Sequence, residues 1–340
     1  MGGYQSISAT QRGYVNTVRA AVVGLGQIGQ GYDYDLTDTG AVLTHARAYA
    51  AHEGYLLVAG VDTDAVQRDR FTARFEQPAY PDVASMMEQH RPDVVSICVP
   101  AGQHLAVFRQ VIPFAPRAVL CEKPMTGVLS EAKEMLRLAE ESHCVVAVNY
   151  IRRFEPGVLT LKKALQRGDA GEIEKGICWY TKGIVNNCSH FIDLLRFLLG
   201  DVTKVLILDR GRDWTADDPE PDVRVRFGTT PVYLLAAREE CFSVGRIELM
   251  GTLAHVLYDD FGSIIRVRKA DDDPLFPGYR VLGPKSEEIV TDLVRYQWHV
   301  VDHLYRRVVA EGPFQSDGRS AVETLAVIEK IRQSLGEADA

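Results

Sequence analysis

The sequence has no apolar run near the roughly 18 residues that a bilayer-spanning helix requires. No membrane span is therefore expected. It has no excess of basic residues either: 38 Lys and Arg against 46 Asp and Glu leave a formal net charge of −8. Nucleic acid and anionic membrane surfaces are disfavoured as main partners, because both are gripped through clustered cationic side chains. The six cysteines, at 98, 121, 144, 178, 188 and 241, make no CxxC pair and no metal-ligand spacing with histidine. Buried free thiols in a reducing compartment are the expectation, with no metal. Internal repeats and low-complexity segments are absent. The opening residues lack the apolar core of a signal peptide. A cytoplasmic location and an N-terminal extension over 1–17 are expected.

The chain has 340 residues, of which 46% are hydrophobic and 25% charged. That is enough for about two domains at ~150 residues each. Over 18–150, Val-rich apolar runs (18–24, 55–62, 93–100, 117–123 and 144–150) alternate with helical patterns (44–53, 64–75, 82–89, 103–112 and 130–142). Continuous apolar strands are those covered on both faces. The alternation predicts a doubly wound α/β Rossmann domain with a parallel sheet. From 151 the pattern changes. A helix opens at Pro156, several strand-like runs follow, a helix spans 189–200, and two helices close the chain near 290–311 and 318–335. Residues 151–340 therefore read as an α+β domain for substrate binding and oligomerisation, with a mostly antiparallel open sheet. In DVRVRFG, Val223, Val225 and Phe227 alternate with Arg224 and Arg226, which predicts one buried face. The acidic run 271–273 before Pro274 reads as a loop.

The first strand runs into Gly24-Leu25-Gly26-Gln27-Ile28-Gly29. Glycines at these three positions allow a tight turn, backbone approach to a pyrophosphate, and packing of a following helix on the strand. Asp62, at the end of the second strand, suits a ribose 2′-hydroxyl and repels a 2′-phosphate. NAD is the expected cofactor; Arg68 and Arg70 keep NADP as the alternative. Asp62 lies further from the glycines than usual because 30–42 is inserted. That insertion reads either as a flap over the pocket or as a solvated loop.

A second constellation follows the strand at 117–123, where residues 121–126 read CEKPMT. Charged residues are rarely buried unless used or paired, so Lys123 is expected at the carboxyl edge of the sheet, beside the nicotinamide. A cis bond before Pro124 is expected. Arg152 and Arg153 follow the last Rossmann strand, and either can bind a carboxylate or bridge the domains. Tyr180 and Lys182, two residues apart on a strand, share a face.

With GLGQIG, Asp62, CVPAGQH (98–104), EKP (122–124), VNYIRRF (148–154) and NNCSHFIDLL (186–195), the sequence resembles the glucose–fructose oxidoreductase / inositol dehydrogenase / MocA (Gfo/Idh/MocA) family over about 18–335. The resemblance implies transfer of a hydride between nicotinamide and a secondary alcohol carbon of a sugar, inositol or nucleotide sugar. It implies cofactor contacts from Gly24, Gly26, Gln27, Ile28, Gly29, Asp62, Val99, Pro100, His104, Glu122 and Lys123. It implies Lys123 on the substrate hydroxyl, His190 as general base, and Asn186 where the family carries aspartate. Tyr150, Arg152, Arg153, Tyr180, Lys182, Asn186, Asn187 and Asp193 are the expected substrate contacts. A homodimer or homotetramer on the open sheet is also implied. Two other functions stay open: lyase or hydrolase chemistry through transient oxidation, and a non-catalytic dinucleotide sensor.

Overall fold

The computed structural model describes residues 17–36, 39–310, 312 and 314–337. The expected N-terminal extension lies outside these residues, apart from Thr17. Among the described residues no helix is long and apolar enough to cross a membrane.

The first part of the chain folds as β1 (Val18–Val23), α1 (His45–Ala51), β2 (Tyr55–Val61), α2 (Ala65–Phe75), β3 (Ala79–Tyr80), α3 (Val83–His90), β4 (Val94–Ile97), α4 (His104–Val111), β5 (Ala118–Cys121), α5 (Leu129–Glu141) and β6 (Val145–Val148). The strands form one parallel sheet in the order β3-β2-β1-β4-β5-β6. Val94, Val95, Ile97 and Leu120 are fully buried between the helix layers. That explains their unbroken hydrophobicity. The two-residue β3 was not foreseen; it is too short to leave a pattern. The strand order reverses between β1 and β4, where the crevice beyond the carboxyl ends opens.

The second part contains α6 (Pro156–Gln166), β7 (Ile173–Tyr180), α7 (Ser189–Leu199), β8 (Val202–Thr215), β9 (Asp218–Phe227), β10 (Thr230–Ala236), β11 (Gly245–Gly251), β12 (Ala254–Asp259), β13 (Ile264–Asp272), β14 (Arg280–Leu282), β15 (Glu287–Ile289), α8 (Tyr296–Ala310) and α9 (Gly318–Glu337). Its sheet runs β14-β13-β12-β11-β7-β10-β9-β8, with β15 on β13, and only the β7–β10 pair is parallel. Val223, Val225 and Phe227 point into a core built with Phe191, Ile192 and Leu195 of α7. The other face leaves Ile177, Trp179, Leu206 and Leu208 exposed. The last two helices tie the halves together. Val300, Val301 and Leu304 of α8 pack beside β1 and α1. In α9, Ala321 and Leu325 reach the first core while Ile328 and Ile331 reach the second.

Three local expectations change. Asp271 and Asp272 are strand residues, not loop: they pair with Val281 and Arg280. Arg280 opposite Asp272 relieves the acidic run, and only Asp273 turns the chain, accepting the N–H groups of Leu275 and Phe276. The helix expected from 290 begins at Tyr296, because 287–289 are drawn into β15. After the glycine loop there is a single π-helical turn, Gln27–Gly31, and a regular helix forms only from His45. The insertion separates them. Gln30 Nε2 donates to the carbonyls of Leu25 and Gln67, and Asp33 accepts the N–H groups of Leu43 and Thr44. Tyr34 lies under Arg70 and donates to its carbonyl. The described part of 30–42 is thus pinned to α1 and α2.

Candidate active site

A cleft of about 480 Å³ lies at the carboxyl ends of β1, β2 and β4, lined by Gly24, Gly26, Asp62, Thr63, Val99 and Pro100 among others. Gly24 has φ +92°, and a Cβ there would fall 2.7 Å from the Cys98 carbonyl carbon. At Gly29 a Cβ would meet the Gly24 carbonyl oxygen at 2.0 Å, whereas at Gly26 the space is open. Gln27 and Ile28 continue the turn, Gln27 exposed and Ile28 half-buried. These are the features a pyrophosphate cradle needs. Asp62 accepts the Leu25 N–H on Oδ2 and the Asp64 N–H on Oδ1, both within 2.9 Å. Its carboxylate is fixed at the cleft with lone pairs to spare. Arg68 Nη1 donates to the carbonyls of Asp62 and Thr63, and the Arg70 guanidinium lies over the Tyr34 ring.

His104 does not line this cleft. It is buried; its Nε2 donates to the Val99 carbonyl at 2.7 Å and its Nδ1 lies 3.3 Å from the Cys121 thiol. It anchors the Val99–Pro100 edge. Glu122 is likewise committed to protein. Its Oε1 takes His45 Nε2 at 2.9 Å and Asn149 Nδ2 at 2.5 Å. Burial pushes the Glu122 carboxyl up, but these bonds and the Lys123 charge outweigh it and hold it below its ordinary value. Behind it, His45 Nδ1 accepts from Ser96 Oγ, which takes the Tyr49 hydroxyl. His45 and Asn149 were not foreseen, since nothing in their spacing marks them.

The Lys123–Pro124 bond is cis. Lys123 Nζ donates to the carbonyl of Asn186 at 2.8 Å, across the domain boundary. Burial lowers its affinity for a proton, opposed by Glu122 and Asp218 and reinforced by Arg152. His190 stands near it at the start of α7, with the Tyr150 ring edge-on at 5.9 Å. Its Nδ1 is buried without a hydrogen-bond partner among the described residues. Burial, then Arg152 and Lys123, push the imidazole well below its ordinary value, so it is neutral. The Asn186 carboxamide makes no hydrogen bond among the described residues and stays free for a ligand. Arg152 donates from Nε to the Tyr258 hydroxyl at 3.0 Å and lies over the Phe191 ring.

Other expected contacts are placed elsewhere. Arg153 and Asp193 satisfy each other: Nε to Oδ2 at 2.6 Å and Nη2 to Oδ1 at 2.7 Å, with both side chains buried. Tyr180 is fully buried, and its hydroxyl donates to the Pro221 carbonyl. Lys182 lies past the end of β7 in a left-handed conformation, φ 66°, and pairs with Glu239. That turn breaks the shared face predicted for the two. Asn187 gives its amide to the Thr181 carbonyl. All six cysteines are free, Cys241 exposed and Cys98 half-buried, against the expectation that all be buried.

A family model described as "Oxidoreductase family, NAD-binding Rossmann fold" matches residues 18–150. UDP-N-acetylglucosamine 3-dehydrogenase of Acidithiobacillus ferrooxidans is 31% identical over 148 residues, 43% of this chain and 41% of that protein. Inositol 2-dehydrogenase of Rhizobium meliloti is 25% identical over 199 residues, 54% of this chain and 56% of that protein. The matches thus span about half the length of these relatives. A solved oxidoreductase of Agrobacterium radiobacter, in complex with NAD+, L-tartaric acid and magnesium, superposes with a TM-score of 0.75. It is 18% identical, and the match covers 94% of this chain and 97% of that one. At that identity the likeness is one of fold.

Proposed function

We propose, from the premise that this chain belongs through its NAD-binding Rossmann domain to the Gfo/Idh/MocA oxidoreductases, that it is an NAD-dependent dehydrogenase or reductase. The substrate would be a secondary alcohol of a sugar, inositol or nucleotide sugar. The observation that carries this reading is the junction of Lys123 and His190. A neutral imidazole with an orphaned buried nitrogen stands beside a desolvated ammonium at the carboxyl edge of the sheet.

The residues of the 24–29 turn, Asp62, Val99 and Pro100 would hold the dinucleotide. When bound, its nicotinamide supplies the acceptor or donor of a hydride. The chain does the rest. Lys123 Nζ holds the substrate hydroxyl oxygen and stabilises negative charge developing on it. His190 takes the hydroxyl proton in oxidation and returns it in reduction. The Asn186 carboxamide orients a neighbouring hydroxyl but, unlike a carboxylate, cannot accept a proton. Arg152 stands by for an anionic or hydroxyl group of the substrate. The exposed apolar face of β7 and β8 fits assembly into a homodimer or homotetramer.

With the Asp62 carboxylate at the ribose position, NADH should bind at least about tenfold more tightly than NADPH. Asp62→Ala should erase most of that preference, read by fluorescence titration with both dinucleotides. Equal affinities in the native chain would refute the assignment of Asp62.

The reaction itself is tested with a panel of polyols, sugars and nucleotide sugars deuterated at carbon. Deuterium appearing in the reduced nicotinamide is the expected result. Release of a cleaved product with no net reduction would instead assign the chain to transient oxidation.

A further inference from the structure

The turn that carries Asn186 is held by two carboxylates of one strand. Asp218 and Glu220 stand two residues apart on β9, share a face, and are both buried. Glu220 Oε1 accepts the N–H of Lys182 at 2.8 Å and that of Gly183 at 3.3 Å. Asp218 accepts the Val185 N–H on Oδ1 and the Asn186 N–H on Oδ2, each at 2.8 Å. Four amides of one short turn therefore end on two carboxylates. Carboxylate–amide bonds are the stronger kind, and they set geometry. The fit leaves no slack. Gly183 has φ +78°, and a Cβ there would lie 2.2 Å from the Asp218 carboxylate. At the next peptide unit, the Asn186 carbonyl receives Lys123 Nζ.

We propose that Asp218 and Glu220 are positioning residues of the active site. They lock the 182–188 turn in the one shape that offers the Asn186 carbonyl to Lys123, and Asp218 supplies the negative charge that Asn186 cannot carry. The two carboxylates divide the work. Glu220 is matched by Arg212 Nε at 2.8 Å, so its charge is already neutralised. Among the described residues Asp218 has no such partner in hydrogen-bond contact: it acts through space on Lys123, and Arg332 of α9 acts on it in turn. Lys123 also faces Glu122 on its own segment, Arg152 after β6, and His190 on α7. Glu122 is held by His45 and Asn149, and Arg152 repels the ammonium. Asp218 is thus the carboxylate that supports Lys123 from the side of the turn.

This inference rests on the role given to Lys123, but its test needs no substrate. The lysine side chains are carbon-13 labelled and titrated by NMR, with Lys123→Met identifying the resonance. Amide exchange at 182–186 is read on the same samples. Asp218→Asn is expected to lower the Lys123 midpoint measurably. It should also speed exchange at Val185 and Asn186 about tenfold or more, with NADH affinity unchanged. Gly183→Ala, which displaces Asp218 without removing its charge from the chain, should do the same. Glu220→Gln should speed exchange at Lys182 and Gly183 and leave the Lys123 midpoint in place. A native midpoint and native exchange in Asp218→Asn would overturn the proposal. Should that variant not fold, fast exchange at Val185 and Asn186 in the native protein would overturn it equally, and slow exchange there with the Gly183→Ala shift would sustain it. A failed substrate panel would leave these outcomes untouched.

Discussion

Lys123→Met should bind NADH as the native chain does and turn over on the order of 10³-fold more slowly. The two halves of this result have separate causes. The dinucleotide cleft is built by the 24–29 turn, Asp62, Val99 and Pro100, and Lys123 does not line it. Methionine fills the space of the lysine stem, so the buried junction with Asn186 loses a charge rather than its packing. What disappears is the cation that steadies the substrate oxygen as its proton leaves. Loss of affinity with turnover intact would contradict this role. The same reading fixes a pH dependence through His190. Its imidazole is held neutral in the folded chain by burial, Arg152 and Lys123. It therefore refuses a proton that the unfolded chain accepts below about pH 6.5. The stability it contributes is complete above that pH and is lost as pH falls from there toward the lowered folded value. The acid limb of kcat/KM for alcohol oxidation should accordingly lie well below pH 6.5. An acid limb centred at 6.5 would mean that His190 is not the base.

Asp193→Ala should destabilise the protein by about 3–5 kcal/mol, seen as a lower urea midpoint. Its carboxylate is buried against the Arg153 guanidinium in a two-bond fork, and Thr324 Oγ1 also donates to it at 2.9 Å. Burial pushes the Asp193 carboxyl up, and Arg153 opposes that shift. Removing the carboxylate leaves a guanidinium stranded between the first turn after β6 and the helix that carries His190. Arg153→Met with Asp193→Leu removes both charges and should recover most of the loss, because replacing a buried pair by apolar groups is often near neutral. A single-variant loss under about 1 kcal/mol would show that the pair is not desolvated. Activity is the second readout. If the pair only ties α7 to the Rossmann domain, the double variant should keep the native acid limb.

The parts of the site that could be read from sequence are those whose residues are neighbours in the chain. Gly24, Gly26 and Gly29 are spaced by a turn, and Lys123 follows directly from a buried strand. The parts that could not be read are made by contacts between distant segments. Arg153 and Asp193 are 40 residues apart, and each alone looks like a substrate ligand. Asp218 and Glu220 lie in DDPEPD, where two prolines and four acids leave no apolar alternation to mark a strand. They form instead the first turn-facing residues of β9. Tyr180 obeys the alternation of its strand, but a period of two cannot say that its hydroxyl stops at Pro221. The π-helical turn after Gly26 was hidden for another reason. The insertion is sequence-local, and only the bonds of Gln30 and Asp33 reveal how it is fastened down. In the fold, the buried parallel strands were legible because burial on both faces leaves a continuous apolar signature. The two-residue β3 and the β13–β14 hairpin leave none.

Equilibrium titration of the native protein with NADH and with NADPH, followed by the fluorescence of the reduced nicotinamide, tests the central claim most directly. The account predicts saturable binding of NADH, one per chain, with NADPH weaker by at least about tenfold. Failure of both dinucleotides to bind would contradict the assignment of the Gly24–Gly29 turn, and with it the hydride chemistry placed at Lys123 and His190.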